Sequence, residues 1–175
     1  MKRSVLILAL SVLAGYISIA AQEAKKNDMP PPKATSPAFD RIKALAGEWE
    51  GKSSEGTAVH TIYKVVSNGS AVMNILDPGG QYEMVTMFHM DGQNIMVTHY
   101  CAVGNQPRMV SKAGANPNAI EFAFRDVTNV TKPDEGHMSG LVLTTVDGDH
   151  HRQEWIFRES PTKETREVFE FTRKK

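Results

Sequence analysis

The chain falls into four regimes of hydrophobic and polar spacing. Residues 1–20 open on Lys2 and Arg3, run apolar from Val5 to Ala14, pass through a mixed stretch and end on small side chains. That layout predicts a secretory signal peptide, cut after Ala20 or Ala21. No cysteine follows the run, which disfavours a lipid anchor; an uncleaved anchor helix is the alternative, because the apolar stretch sits at the short edge of a bilayer span. Residues 21–37 carry Pro30, Pro31, Pro32 and Pro37 among Lys and Asn and have little to bury, so they read as a flexible tether. Phe39, Ile42 and Leu45 then recur at spacing three, predicting a short amphipathic helix over 37–46 that Gly47 stops.

From Gly47 onward the period is two. Asn68-Gly69, Asp91-Gly92 and Asp147-Gly148 each separate two β-rich runs and tolerate the positive φ of tight hairpin turns. Further breaks at Pro78-Gly79-Gly80, Gly104-Asn105 and Asn116-Pro117-Asn118 divide the rest. About ten strands are expected, over 47–54, 57–67, 70–77, 81–90, 93–103, 106–113, 119–127, 137–146, 149–159 and 165–173. Successive hairpins give an up-and-down order, and closing that sheet removes its two edges. The fold class is therefore all-β: an antiparallel up-and-down barrel with a short N-terminal helix, occupying residues 38–175. An open two-sheet sandwich is the other arrangement compatible with the pattern.

Treating each turn dipeptide as a two-residue loop assigns side chains to faces. Asp147-Gly148 places Gln153 opposite Val142, Trp155 opposite Gly140 and Phe157 opposite Met138, on an apolar inward face, with Leu141, Leu143 and Thr145 on the solvent side. Asp91-Gly92 places Met84 opposite His99 and Tyr82 opposite Cys101, and Gly104-Asn105 places Cys101 opposite Arg108. One face of three strands then carries Tyr82, Met84, His99, Cys101 and Arg108, the densest chemistry in the sequence. In such a patch His99 can bond a ligand, shuttle a proton or be satisfied by Tyr82 or a backbone carbonyl. Cys101 gains thiolate character beside Arg108 if solvent reaches it, and is inert packing otherwise. Arg108 suits a carboxylate or phosphate, or pairs with an acid such as Glu83.

Composition removes several classes of function. The 175 residues hold 20 basic and 20 acidic side chains. Losing Lys2 and Arg3 with the signal segment leaves 18 against 20, so no basic surplus is available for nucleic acid. After cleavage no membrane span remains. A lone cysteine, Cys101, cannot close an internal disulfide. His150 and His151 are strand neighbours pointing to opposite faces, and no H-E-x-x-H or C-x-x-C occurs, so no metal site is expected. G-x-S-x-G and Gly-rich phosphate loops are also missing. Met84, Met87, Met90, Met96 and Met109 crowd the central strands, where they fill a core or adapt to a variable apolar ligand.

Leu45-Ala46-Gly47-Glu48-Trp49-Glu50-Gly51 has the form L-x-G-x-W-x-G and resembles the opening strand of the calycin proteins, lipocalins and nitrobindin-type barrels among them. The stretch from Thr98 to Met109 is similar to a block in exported bacterial barrels of this lipocalin-like group. The resemblance implies a barrel whose cup holds a small, often apolar ligand, with Trp49 closing one end beneath an arginine of the last strand, Arg166 or Arg173. It also implies that heme is possible, held by a late-strand histidine, with His137, His150 and His151 in the right region and no motif to choose among them. The expected function is binding of a small hydrophobic or amphipathic molecule without catalysis, in a secreted or periplasmic protein. Tyr82, Met84, His99, Cys101, Arg108, Gln153, Trp155 and Phe157 are the expected ligand contacts. The alternatives are a heme protein, an isomerase or small-molecule hydrolase using His99, Tyr82 and Cys101, and an envelope accessory protein.

Overall fold

The computed structural model describes residues 35–112 and 116–175; the expected signal peptide and nearly all of the tether lie outside them. Helix α1 (Pro37–Ala44) starts where Ser36 caps it, its hydroxyl accepting from the Phe39 amide at 3.1 Å, with Pro37 at the first helical position where no amide is needed. Ten strands follow: β1 (Gly47–Ser53), β2 (Ala58–Val66), β3 (Ala71–Leu76), β4 (Met84–Asp91), β5 (Asn94–Tyr100), β6 (Gln106–Lys112), β7 (Ala119–Thr128), β8 (His137–Thr145), β9 (His150–Ser160) and β10 (Lys163–Arg173). Each pairs antiparallel with its sequence neighbour, and β1 pairs with β10 to close the barrel. Among the described residues no helix is long and apolar enough to cross a membrane.

The glycines of the opening motif have separate geometric reasons. Gly47 leaves the helix at φ +132°, a conformation that side chains rarely adopt. Gly51 lies so close to β10 that a Cβ would come within 2.1 Å of the Glu170 carbonyl oxygen. Between them Trp49 is fully buried and donates its indole N–H to the Leu45 carbonyl at 2.8 Å. Phe39, Ile42 and Leu45 seat the helix on this end of the barrel, against a core that includes Val72, Phe88, Ile95, Leu143 and Phe171.

Strand positions follow the sequence pattern, whereas several registers do not. At Asp91-Gly92 the loop is Gly92-Gln93, so His99 pairs with Thr86 instead of Met84; the slip of two residues keeps every side chain on its expected face. At Asp147-Gly148 the connection is one residue longer than expected and Leu143 pairs with Gln153, Leu141 with Trp155. Leu141 and Leu143 are therefore buried instead of outward. Ser139 is an extra, bulged residue, which restores the expected Met138–Phe157 pair and leaves Gly140 opposite Ile156, whose side chain covers it, in place of Trp155. At Gly104-Asn105 the shift is three residues: Arg108 pairs with Thr98 and turns outward.

Candidate functional site

Side chains from strands distant in the barrel order meet across its interior. On β9, Gln153 donates from Nε2 to Tyr63 Oη of β2 at 2.7 Å and accepts from the Trp155 indole N–H at 2.8 Å. The Trp155 ring lies 4.6 Å from that of His99 on β5, and His99 Nδ1 is 2.9 Å from Thr86 Oγ1. Tyr63, Gln153, Trp155, His99 and Thr86 thus form a continuous layer from one wall to the other, every member buried. Burial holds the His99 imidazole down to about 4 and raises the Tyr63 phenol, so both are neutral near pH 7.

Below this layer the interior is filled. His151 sits edge-on to Trp49 at 4.4 Å and stacked on Phe171 at 4.8 Å, its Nε2 3.5 Å from Tyr63 Oη. Arg173 covers the other side of Trp49, its guanidinium 4.1 Å from the ring centroid, and donates to the carbonyls of Ala44, Ala46 and Gly148. Above the layer, toward the end away from α1, the apolar side chains Val59, Met84, Phe124, Phe157 and Phe169 are only partly buried. Burial of the inward-facing side chains thus falls toward that end.

The proposed five-residue patch does not assemble. His99 is 1% exposed inside the barrel, whereas Tyr82 is 62% exposed in the β3–β4 connection, before the strand begins. Cys101 is half-buried in the β5–β6 turn, where the Gly104 amide bonds its carbonyl. Arg108 makes a bidentate pair on the outer surface with Asp126, not Glu83, both contacts at 2.6 Å; Glu83 instead accepts from the Gly79 amide at 2.5 Å. Parity carries Arg108 out, since a three-residue shift reverses the face of every side chain on the strand, whereas Tyr82 and Cys101 lie beyond the ends of β4 and β5. Tyr82, His99 and Cys101 consequently lack the convergence that the isomerase or hydrolase alternative requires. Of the expected contacts, Met84, His99, Gln153, Trp155 and Phe157 belong to the interior. Arg166 lies outside the barrel, paired with Glu154.

The sequence reading missed Tyr63, Thr86 and Asn105. The period-two pattern of β2 and β4 marks the first two as inward, but Asn105, a turn residue, carries no such signal. It is completely buried and donates from Nδ2 to the Gly136 carbonyl at 2.8 Å. Four buried interior atoms have no hydrogen-bond partner among the described residues: His99 Nε2, Asn105 Oδ1, His137 Nε2 and His151 Nδ1.

A groove of about 990 Å³ lies elsewhere, over the outer faces of β2, β1, β10 and β9. Of its charged lining, Glu50 pairs with Lys174 at 3.5 Å and Arg152 with Glu154 at 2.9 Å, and one buried lining atom, His60 Nε2, has no hydrogen-bond partner among the described residues. The unpartnered interior atoms make the barrel lumen the stronger candidate.

Heme, implied by the resemblance, needs an imidazole with a free nitrogen. His150 faces outward and bonds Asp147 at 2.9 Å, and His151 is enclosed by Trp49, Tyr63 and Phe171, so neither fits. His137 fits by donor chemistry, since Nδ1 donates to the Glu135 carbonyl at 2.7 Å and leaves the lone pair on Nε2. Among the described residues no group of three or more His, Cys, Asp or Glu is arranged to hold a metal ion.

No family model matches the sequence, and no curated protein does. Among solved structures, the crystal structure of Rv2717c from M. tuberculosis is similar, with a TM-score of 0.56 and 12% identity, over 81% of this chain and 100% of that one. At that identity the likeness is one of fold alone.

Proposed function

We propose that this protein is an exported, lipocalin-like barrel that binds a small hydrophobic or amphipathic molecule in its more open half, without catalysis. The observation that carries this reading is the asymmetry of the interior. The layer from Tyr63 to Thr86 forms a floor, and above it Val59, Met84, Phe157 and Phe169 are inward-facing yet incompletely buried. His99 offers the floor's one imidazole nitrogen without a partner, giving an apolar cup with a polar spot. The basic start and apolar run of residues 1–20 support export to the periplasm or beyond.

Native mass spectrometry of the chain purified from its own envelope fraction tests the reading. A retained mass of a few hundred daltons, released on denaturation, is expected, together with binding of the dye N-phenyl-1-naphthylamine that Met84→Trp abolishes by filling the cup. The absence of both a retained mass and dye binding would overturn it. N-terminal sequencing of the same material should begin at Ala21 or Gln22.

Heme is the second reading, favoured by the free lone pair of His137. His137 would hold the group through Nε2, and heme would supply gas binding or one-electron chemistry. A Soret shift on adding hemin, lost in His137→Phe, is its signature.

A further inference from the structure

Two buried hydrogen-bond acceptors sit on adjoining pieces of backbone at the mouth of the barrel. Asn105 is 0% exposed, and its Nδ2 is committed to the carbonyl of Gly136. That bond fixes the amide orientation, because reversing it would set two oxygens against each other. Oδ1 is left without a partner among the described residues. The next residue, His137, is 6% exposed, with its ring 4.7 Å from Phe124. Its Nδ1 lies 2.7 Å from the Glu135 carbonyl, which can only accept; Nδ1 therefore carries the proton and Nε2 is an acceptor as well, also unpartnered.

The surroundings continue the same theme. The Glu135 carboxyl is held below the usual carboxylate range by the Thr131 hydroxyl and amide, with smaller contributions from Asn105 and from the charge of Lys132. Phe157 packs so closely on Gly136 that a Cβ there would come within 2.9 Å of its ring. Aromatic surface from Phe124 and Phe157 thus lies beside two acceptors that no described residue supplies with a proton. Leaving a buried acceptor unpaired is costly, and a ligand that brings donors removes the cost.

We propose that Asn105 Oδ1 and His137 Nε2 form the polar subsite of the barrel and select ligands whose head group is a nitrogen that only donates, a primary ammonium or the NH2 of a primary amide, on an apolar body. A carboxylate head is rejected there, since it would set its oxygens against two lone pairs. The inference rests on the barrel being a ligand cup and specifies which end of the ligand is read.

The test is calorimetric titration of the purified full chain with decylamine, decanamide and decanoate, all below their micelle concentrations. Decylamine and decanamide should bind about tenfold or more tightly than decanoate. His137→Phe, which keeps a ring against Phe124, and Asn105→Leu should each bring the three probes to within about threefold of one another, with decanoate bound at least as tightly as by the parent chain. The ranking on the unaltered protein stands as a result even if a variant fails to fold. Decanoate binding as well as the nitrogen probes overturns the subsite while leaving the cup intact; a ranking unchanged in both folded variants does the same. Failure of all three probes to bind overturns the inference and the cup together. A hemin Soret shift that depends on His137 assigns the lone pair to iron and overturns the subsite.

Discussion

The Arg173 guanidinium lies 4.1 Å from the centroid of the Trp49 indole while its nitrogens donate to the carbonyls of Ala44, Ala46 and Gly148. One side chain of the last strand therefore caps the C-terminal carbonyls of α1, ties them to the β8–β9 turn and covers the buried tryptophan of the first strand. Cation–π attraction and the hydrogen bonds act together here. Arg173→Ala is expected to lower stability by about 2–4 kcal/mol, read by urea unfolding, and to shift Trp49 emission to the red. Arg173→Lys should recover less than half of the loss, because an ammonium cannot reproduce the planar fork.

Gln153 joins two walls of the barrel through Tyr63 and Trp155. Gln153→Leu leaves the Trp155 indole N–H buried without its acceptor, while Tyr63 keeps only the longer contact to His151 at 3.5 Å. A loss of about 2–4 kcal/mol in urea unfolding is expected, with an exchange-protected indole proton at Trp155 in the parent chain and an unprotected one in the variant.

The interior histidines make stability depend on pH. Burial holds His99 down to about 4, and burial with the charge of Arg173 holds His151 down to about 3, against an ordinary 6.5. In the folded chain both stay neutral where the unfolded chain already takes up protons. Their contribution is complete above pH 6.5 and is lost as pH falls below it, by up to about 1.4 kcal/mol per unit for each histidine, until the folded-state values are reached. Urea midpoints should drop between pH 6.5 and 5, and His99→Gln should reduce that slope by about half.

Arg108 offers a contrast. Its bidentate pair with Asp126 is on the outer surface, with both side chains more than two-fifths exposed. Solvent screens such a pair, so Arg108→Ala should leave the urea midpoint close to that of the parent chain and binding of the barrel probes unchanged. A large loss of probe affinity would mean that the strand presents the other face.

The location of every strand was legible because turn residues announce themselves locally: Asn68 and Gly92 adopt the positive φ that their dipeptides predict. The faces were legible only where errors of loop length were even. Moving the β4–β5 turn by two residues left His99 inside, whereas the odd shift at Gly104 carried Arg108 out, and the bulges at Ser139 and Arg125 changed parity within a strand. No period-based signal could reveal a bulge, because its position is set by packing against the neighbouring strand. For the same reason Asn105 was invisible: burial of a turn residue depends on which distant segment folds over it.

The sequence by itself determined an all-β chain in hairpins, a short helix ahead of it and the Gly47–Trp49–Gly51 opening, since local dihedral preference and period-two alternation act within a few residues. Only the tertiary structure decided that Arg173, not Arg166, covers Trp49, that Tyr63, Gln153, Trp155, His99 and Thr86 meet across the lumen, and that Asn105 and His137 bury acceptors at its mouth. Those relationships join strands far apart in the chain, and they are fixed by barrel closure and by the odd or even count of residues in each turn and bulge.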